Sequence, residues 1–432
     1  MPPQIGRALR HRNYRLFFGG QSVSLVGTWI TRIATAWLVY RLTGSPFLLG
    51  LVGFCGQIPT LFLSPIAGVY VDRWNRHQVL LVTQVLSLVQ SLALAVLTLA
   101  GVITVAEVLV LQLFQGCINA FDVPARQAFV ITMVEDHADL PNAIALNSSM
   151  VNGARIIGPS VAGLLIAAVG EGWCFLLDAV SYVAVLASLV AMRLPPAVRR
   201  RAATRVREEL VAGFRYVAGF MPIRSALLLV ALVGMAGMPY SVLMPAVATK
   251  VLHGGANTYG FLMTAAGLGA LAGALYLAAR QSVLGLGRVI AGAALVFGLA
   301  LVAFSFSRNV VLSLAILPIV GAGFMIQLAS TNTILQTLVD EHLRGRVMSF
   351  YTMAFLGTAP IGSLLAGIIA EHIGATETIL LGGIACAGGG IWFAARLPRL
   401  REEARPIYEA RGILPLGPTP PRPAPAPTPP MP

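Results

Sequence analysis

The chain has 432 residues, of which 57% are hydrophobic and only 11% charged, with a formal net charge of +13. A soluble domain carries about 25% charged residues, so too little polar side chain is present here to solvate a globular surface. Charge-free stretches at Leu42–Val71, His77–Ala106, Val251–Ala279 and Val310–Val339 each exceed the roughly 20 apolar residues that cross a bilayer as helix. That pattern excludes a soluble enzyme and describes a polytopic membrane protein.

Taken in chain order, Gly, Pro and charge punctuation predicts twelve spans. Six lie at 14–40, 47–71, 79–100, 104–125, 142–169 and 173–192, and six more at 224–248, 257–280, 287–306, 309–336, 345–370 and 377–396. The basic segment Met1–Arg15 leads straight into the first span without a small-residue cleavage site, so it reads as a retained first helix. The expected organisation is an N-terminal six-helix bundle (1–192), a basic linker (193–223), a C-terminal six-helix bundle (224–397) and a disordered, Pro-rich tail (398–432). Within the linker, residues 203–219 put Val206, Leu210, Phe214 and Val217 on one face, as an interfacial amphipathic helix would. A solvated linker is the plainer alternative. Cys55, Cys117, Cys174 and Cys386 show no ligand spacing and read as packing residues, so no metal or cofactor is expected.

Basic residues orient the spans. Of the 30 Lys and Arg residues, only Arg41, Lys250 and Arg308 fall in segments on one side, and Arg32 and Arg155 fall inside spans; all others lie on the side of both termini. The positive-inside rule then places both termini in the cytoplasm of a multi-pass protein of a bacterial inner membrane. The basic excess reflects topology and contact with anionic lipid rather than nucleic-acid binding.

An internal repeat is visible. Thr132-Met-Val-Glu-Asp-His137 recurs as Thr337-Leu-Val-Asp-Glu-His342, Gly116 matches Gly321, Ala162-Gly163-Leu164 matches Ala366-Gly367-Ile368, and Gly170 matches Gly374. Each copy straddles the loop after the fourth span of its half. Two parallel six-span halves are therefore expected, related by an axis along the membrane normal.

Charges inside the hydrocarbon cost roughly 2.5–3.5 kcal/mol each on insertion scales, so they face a cavity or a partner. Span 4 carries Gln112, Gln115, Asn119, Asp122 and Arg126 as one continuous stripe, read as a cavity wall with helix–helix hydrogen bonding as the alternative. Asn152 and Arg155 share a face of span 5, Arg32 lies in span 1 and Asp178 near the outer end of span 6. In the second half the stripe weakens to Gln327, Thr331 and Asn332, without charge. Asp122 and Arg126, at i and i+4, suit either a proton-exchanging acid held ionised by its partner or a purely structural pair. Arg155 suits an anionic or polar substrate or a fixed counter-charge, and Asp178 a helix cap or a water-facing group.

The segment Gly68-Val-Tyr-Val-Asp72-Arg73-Trp-Asn75-Arg76 resembles the major facilitator loop motif G-x-x-x-D-R-x-G-R, with Asn75 where glycine is usual. Gly158-Pro159-x-x-Ala162-Gly163 resembles the antiporter motif of drug/proton exporters. Asp122-Val-Pro-Ala-Arg126-Gln and Arg344-Gly-Arg346-Val-Met-Ser349 are similar to the branch of macrolide-efflux and enterobactin-exporter-like carriers. The resemblance implies an all-α major facilitator fold of two pseudo-symmetric bundles, working by alternating access as a monomer. It further implies that Asp72 latches near Arg344 or Arg346, and that Gly158, Pro159 and Gly163 let span 5 bend. The exporters' span-4 motif R-x-x-Q-G here reads Gln112-Leu-Phe-Gln115-Gly116, so coupling through its arginine is lost and Arg155 or Arg32 are the candidate replacements.

The first expectation is therefore proton-coupled efflux of small amphipathic compounds (drug-like molecules, macrolides or siderophore-like metabolites). The runner-up is an importer or symporter of one metabolite. A membrane-embedded enzyme fails on residues, because no span holds paired carboxylates or nucleophile–base spacing. A phosphate-binding loop is missing as well, so the chain itself has no means of ATP drive.

Overall fold

The structure, a computed structural model, describes residues 6–134, 136–193, 215–280 and 282–411, apart from the side chains of Pro65, Val69, Asp72, His137, His342 and Ala410. Among the described residues, twelve helices are long and apolar enough to cross a membrane. The first half holds α1 (Arg12–Thr43), α2 (Pro46–Arg73), α3 (Arg76–Leu99), α4 (Val105–Met133), α5 (Leu140–Val169) and α6 (Glu171–Val190). The second half begins with α7 (Met221–Val251). It continues with α8 (Ala256–Ala278), α9 (Leu286–Phe306) and α10 (Val310–Leu338). The last two are α11, built of Glu341–Thr352, a π turn at Met353–Gly357 and Thr358–Ile373, and α12 (Ala375–Ala410). We call the end of the molecule where α1 begins and α12 finishes the near end, and the opposite end the far end.

Local chemistry sets the helix ends. Ser45 Oγ accepts from Leu48 N at 3.3 Å with Pro46 in the first turn of α2, and Asn309 Oδ1 accepts from Val311 N at 2.8 Å to start α10. Thr104 and Glu107 form a reciprocal capping box at α4. Asn75 starts α3 by accepting from His77 N at 3.0 Å, so the residue that departs from the loop motif's glycine acts as a helix cap.

The two halves repeat one packing plan. In the first, α1 packs on α5 and α6, α2 on α4, and α3 on α4 and α6; in the second, α7 packs on α12, α8 on α10, and α9 on α10 and α12. Repeat-matched glycines do matched jobs. Gly116 of α4 approaches the Gly56 carbonyl of α2, and Gly321 of α10 approaches the Ala266 carbonyl of α8; a Cβ on either would collide. Gly170 (φ 87°) and Gly374 (φ 103°) each end one helix and start the next through a backbone that side-chain-bearing residues avoid.

The bundles meet through α5 against α8 and α2 against α11. At these crossings a Cβ on Gly163 would lie 3.0 Å from Gly260 Cα, and one on Gly367 would lie 2.9 Å from Gly50 Cα. Both crossings sit toward the far end. Further joins there are Ser45 Oγ and Phe47 N donating to Glu371 Oε2 at 2.8 and 3.0 Å, and Lys250 Nζ donating to the Gly44 carbonyl at 3.4 Å. The one other hydrogen bond between bundles among the described residues, Thr264 Oγ1 to the Ile156 carbonyl at 3.5 Å, lies mid-helix. The far end is shut.

Two expectations change. The tail does not begin at 398: α12 runs through Pro398 and Pro406 to Ala410 because Leu400 and Ala404 are buried, and Arg405 pairs with Glu409 at 2.8 Å. Of the linker helix, residues 203–214 lie outside the described residues, whereas 215–219 are helical with Val217 buried. The far reach of the tail, 412–432, also lies outside them.

Candidate functional site

Between the bundles lies a cavity of about 270 Å³, lined by α1–α8 and α10, α3 contributing Gln90. Its polar groups come mainly from the first half. Arg32 and Thr35 project from α1, Gln57 from α2, Gln112, Gln115 and Asn119 from α4, Arg155 from α5, and Asp178 and Tyr182 from α6. The second half supplies Tyr240 and Ser241 from α7 and Tyr259 from α8. Trp37 of α1 stacks on Tyr259 with ring centroids 6.2 Å apart, joining the bundles beside the cavity.

The shape of α7 positions its contribution. Val233–Gly237 winds as a π turn, with Met238 N bonding back to the Val233 carbonyl, before Tyr240–Ala246 resumes as α-helix. Pro239 and Pro245 cannot donate to the preceding turns, so the regular ladder is already broken there. The resulting shift in register places Met238, Tyr240, Ser241 and Val242 on the cavity wall.

The two arginines are alone. Neither Arg32 nor Arg155 makes a hydrogen bond or ion pair among the described residues; Arg32 lies over its own neighbour Trp29, 5.2 Å from the ring centroid. Thr35 Oγ1 and Gln115 Oε1 are buried and have no hydrogen-bond partner among the described residues. Gln115 Nε2 is engaged, donating to Asn119 Oδ1 at 3.2 Å and Ser87 Oγ at 3.3 Å.

Of the two carboxylates, one lines the cavity as the pathway expectation had it and the other does not. Asp178, 1% exposed, lines the cavity, accepting from Ser91 Oγ at 2.6 Å and Ser181 Oγ at 3.4 Å. It is a cavity group rather than a helix cap at the rim. Asp122 is not a cavity residue. It turns toward α3, where Thr83 Oγ1 and Gln84 Nε2 donate to Oδ1 at 3.0 and 2.8 Å, and Arg126 Nη2 lies 3.5 Å from Oδ2. The stripe on α4 is thus split: its far part faces the cavity and its near part bonds a neighbouring helix. Asn152 bonds the Ser148 carbonyl of its own helix at 2.9 Å, and Gln327 is fully buried beside Thr331; neither is among the lining residues.

The motif residues fall at helix junctions. Pro159 lines the cavity, Gly158 packs on Trp29 of α1, and Gly163 forms the crossing with α8. Gly68 has open space around it, Arg73 is exposed, and Arg76 Nη1 donates to the Ala128 carbonyl of α4 at 3.3 Å. The Asp72 side chain lies outside what the structure describes, and Arg344 and Arg346 form no ion pair among the described residues.

Sequence reasoning missed the helix behind the site. Thr83, Gln84, Ser87, Gln90 and Ser91 form one buried polar face of α3, which holds both Asp122 and Asp178. Their helical spacing was the available signal, and an emphasis on charged residues passes over it. Tyr182, Tyr240 and Tyr259 were missed because single tyrosines in apolar spans carry no periodic signature.

Over residues 7–410 the chain matches the family described as transmembrane secretion effector. It is 27% identical over 398 residues to the staphyloferrin A transporter of Staphylococcus aureus (strain NCTC 8325 / PS 47), covering 90% of this chain and 98% of that one. It is 29% identical over 386 residues to the multidrug efflux pump Tap of Mycolicibacterium fortuitum, with 87% and 93% covered. The enterobactin exporter EntS of Shigella boydii serotype 4 (strain Sb227) is 28% identical over 364 residues, with 83% and 85% covered. The fold matches that of the nucleoside transporter NupG with a TM-score of 0.68 at 15% identity, covering 90% of this chain and 99% of that one. It also matches a bacterial homolog of the human lysosomal transporter Spinster, solved inward-facing and unoccupied, with a TM-score of 0.63 at 13% identity and coverage of 95% and 98%. Two matched bundles around a central cavity, and a family match that takes in nearly every described residue, make the chain a major facilitator transporter, not an enzyme: it belongs to the transmembrane secretion effector family.

Proposed function

We propose that the chain is a monomeric secondary active exporter of small amphipathic compounds, energised by the proton-motive force across a bacterial inner membrane. Both termini face the cytoplasm in this reading, because the near end carries nearly all the basic residues. The far end, where the bundles are joined by Glu371 and Lys250, is then the outer gate. Export proceeds as the crossings at Gly163–Gly260 and Gly50–Gly367 part and the near ends of the bundles close. Printed names of the relatives, multidrug efflux pump and enterobactin exporter among them, support the direction.

The observation that carries this reading is the cavity itself, enclosed between two bundles whose polar joins lie mostly at the far end. Asp178 is the group assigned to exchange a proton, as a buried carboxylate at the cavity wall held by hydroxyls rather than by a cation. Asp122 is assigned a structural role, since Arg126, Thr83 and Gln84 occupy it.

Everted membrane vesicles test the proposal. An acid-inside pH gradient should drive accumulation of an amphipathic dansyl dye above that of vesicles lacking the chain, and an uncoupler should abolish it. Accumulation that ignores the gradient would remove the proton step. Energised uptake confined to right-side-out vesicles would make the chain an importer.

A further inference from the structure

Two cationic side chains face the cavity without an ion pair among the described residues. Arg32 and Arg155 come from different helices of one bundle and line the same cavity, where the charge of Arg155 acts against that of Arg32. A guanidinium within a span costs roughly 2.5–3.5 kcal/mol on insertion scales unless it reaches a polar space; Arg32 is exposed to the cavity and Arg155 half-buried at its wall, and two like charges there repel. An arginine kept for structure recovers that cost through a carboxylate or several carbonyls, yet neither of these makes such a bond among the described residues. Of the carboxylates in the first bundle, Asp122 pairs with Arg126, Glu171 with Arg41 and Asp139 with Arg7, while Asp178 accepts from Ser91 and Ser181.

We propose that Arg32 and Arg155 form an anion-binding fork, and that the transported compounds are amphipathic organic anions bearing a carboxylate, sulfonate or phenolate group. The site is built from both sides. Tyr259 of α8 and Tyr240 of α7 line the same cavity from the opposite bundle, near enough to act electrostatically on Arg32 and Arg155 respectively. An oxyanion seated there accepts from guanidinium N–H groups and from a phenol O–H at once, which joins the bundles through the ligand. Around the fork, Trp29, Ile33, Leu49, Val52, Met263 and Phe324 offer an apolar wall for the rest of the molecule. Two arginines outweigh one carboxylate whether or not Asp178 is protonated, so the preference for an anion holds in both protonation states.

This inference rests on the cavity being the transport site, and a binding measurement separates it from the direction and energetics of transport. The full chain in lipid nanodiscs is titrated with dansylglycine (anionic), dansylamide (neutral) and dansylcadaverine (cationic), read by energy transfer from tryptophan, with Trp29 on the cavity wall. Dansylglycine should bind at least tenfold tighter than dansylamide, and dansylcadaverine weakest. Arg32→Gln and Arg155→Gln should each remove most of that preference while leaving dansylamide binding within about twofold, and Arg155→Lys should retain part of it. Thermal melting gives a second readout that structural arginines would fail. In the ligand-free protein either Gln variant should raise the melting temperature, because a repelling, unpaired charge is removed. Equal affinity for the three dyes, no dansylglycine binding, or a lowered melting temperature with unchanged anion preference would overturn the proposal. Loss of vesicle accumulation alone would instead count against the export reading.

Discussion

Where α4 carries Asp122, bonded by Thr83 and Gln84 and lying 3.5 Å from Arg126, the repeat-matched position of α10 carries Gln327, whose Nε2 lies 3.4 Å from Thr331 Oγ1. The i,i+4 geometry is kept and the charge is gone. The same holds elsewhere: in the register of Gly163 and Gly367, Arg155 corresponds to Ala359, and in that of Gly170 and Gly374, Asp178 corresponds to Gly382. Gly382 packs against the Ala236 carbonyl in the π turn of α7, in space that a carboxylate would need. The backbone plan duplicated intact, because packing depends on small residues at crossings. The chemistry did not: among the described residues, the charged side chains that line the cavity all come from the first bundle. The second bundle contributes bent helices, hydroxyls and apolar wall.

Several substitutions would break that contrast or sharpen it. The largest effect is expected for Asp178→Asn, which should abolish gradient-driven accumulation in everted vesicles while leaving the protein folded, since the amide oxygen can still accept from Ser91 and its NH2 can donate to Ser181 Oγ. Unchanged accumulation would move the proton step elsewhere. Next, Asp122→Ala strands Arg126 and removes two hydrogen bonds, and should lower stability by about 3 kcal/mol. Its counterpart Gln327→Ala, which loses only a long neutral contact, should cost about 1 kcal/mol. Melting of the two variants side by side checks this; equal losses would mean that the charged pair is not the firmer one.

The crossings should behave alike despite the chemical asymmetry. A Cβ already lies 2.9 Å from the Ala256 carbonyl at Gly163 and 3.0 Å from the Pro46 carbonyl at Gly367. Gly163→Val and Gly367→Val should therefore each favour the conformation with the far end open, seen as increased labelling of single cysteines introduced along the cavity from the far side. The smallest effect is expected for Glu371→Gln. Its carboxylate is exposed and bonds Ser45 and Phe47, so neutralising it should raise far-side labelling only a few-fold.

The helices were legible because hydrocarbon imposes its own period and length, and charge could mark only their ends. Gly170 and Gly374 were legible as a repeat, and their positive φ explains why glycine was needed twice. The site was legible where charge is scarce: Arg32, Arg155 and Asp178 stood out and all three line the cavity. Asp122 stood out equally and lies elsewhere, because a stripe on one helix cannot say which neighbour faces which part of it. The buried face of α3 and the tyrosines of α6, α7 and α8 escaped notice, being neutral groups in spans where polarity is judged by charge.

Sequence by itself determined the membrane class, the number of spans, the duplicated halves and the short supply of intramembrane charge, since each follows from composition and spacing along the chain. Tertiary structure alone decided which charges share a space. Asp122 was given to Arg126 and to α3, Asp178 to the cavity, and Arg32 and Arg155 were left facing it without a counter-charge. The reason is physical: the cost of a buried charge depends on what lies across from it, and what lies across is set by helix packing.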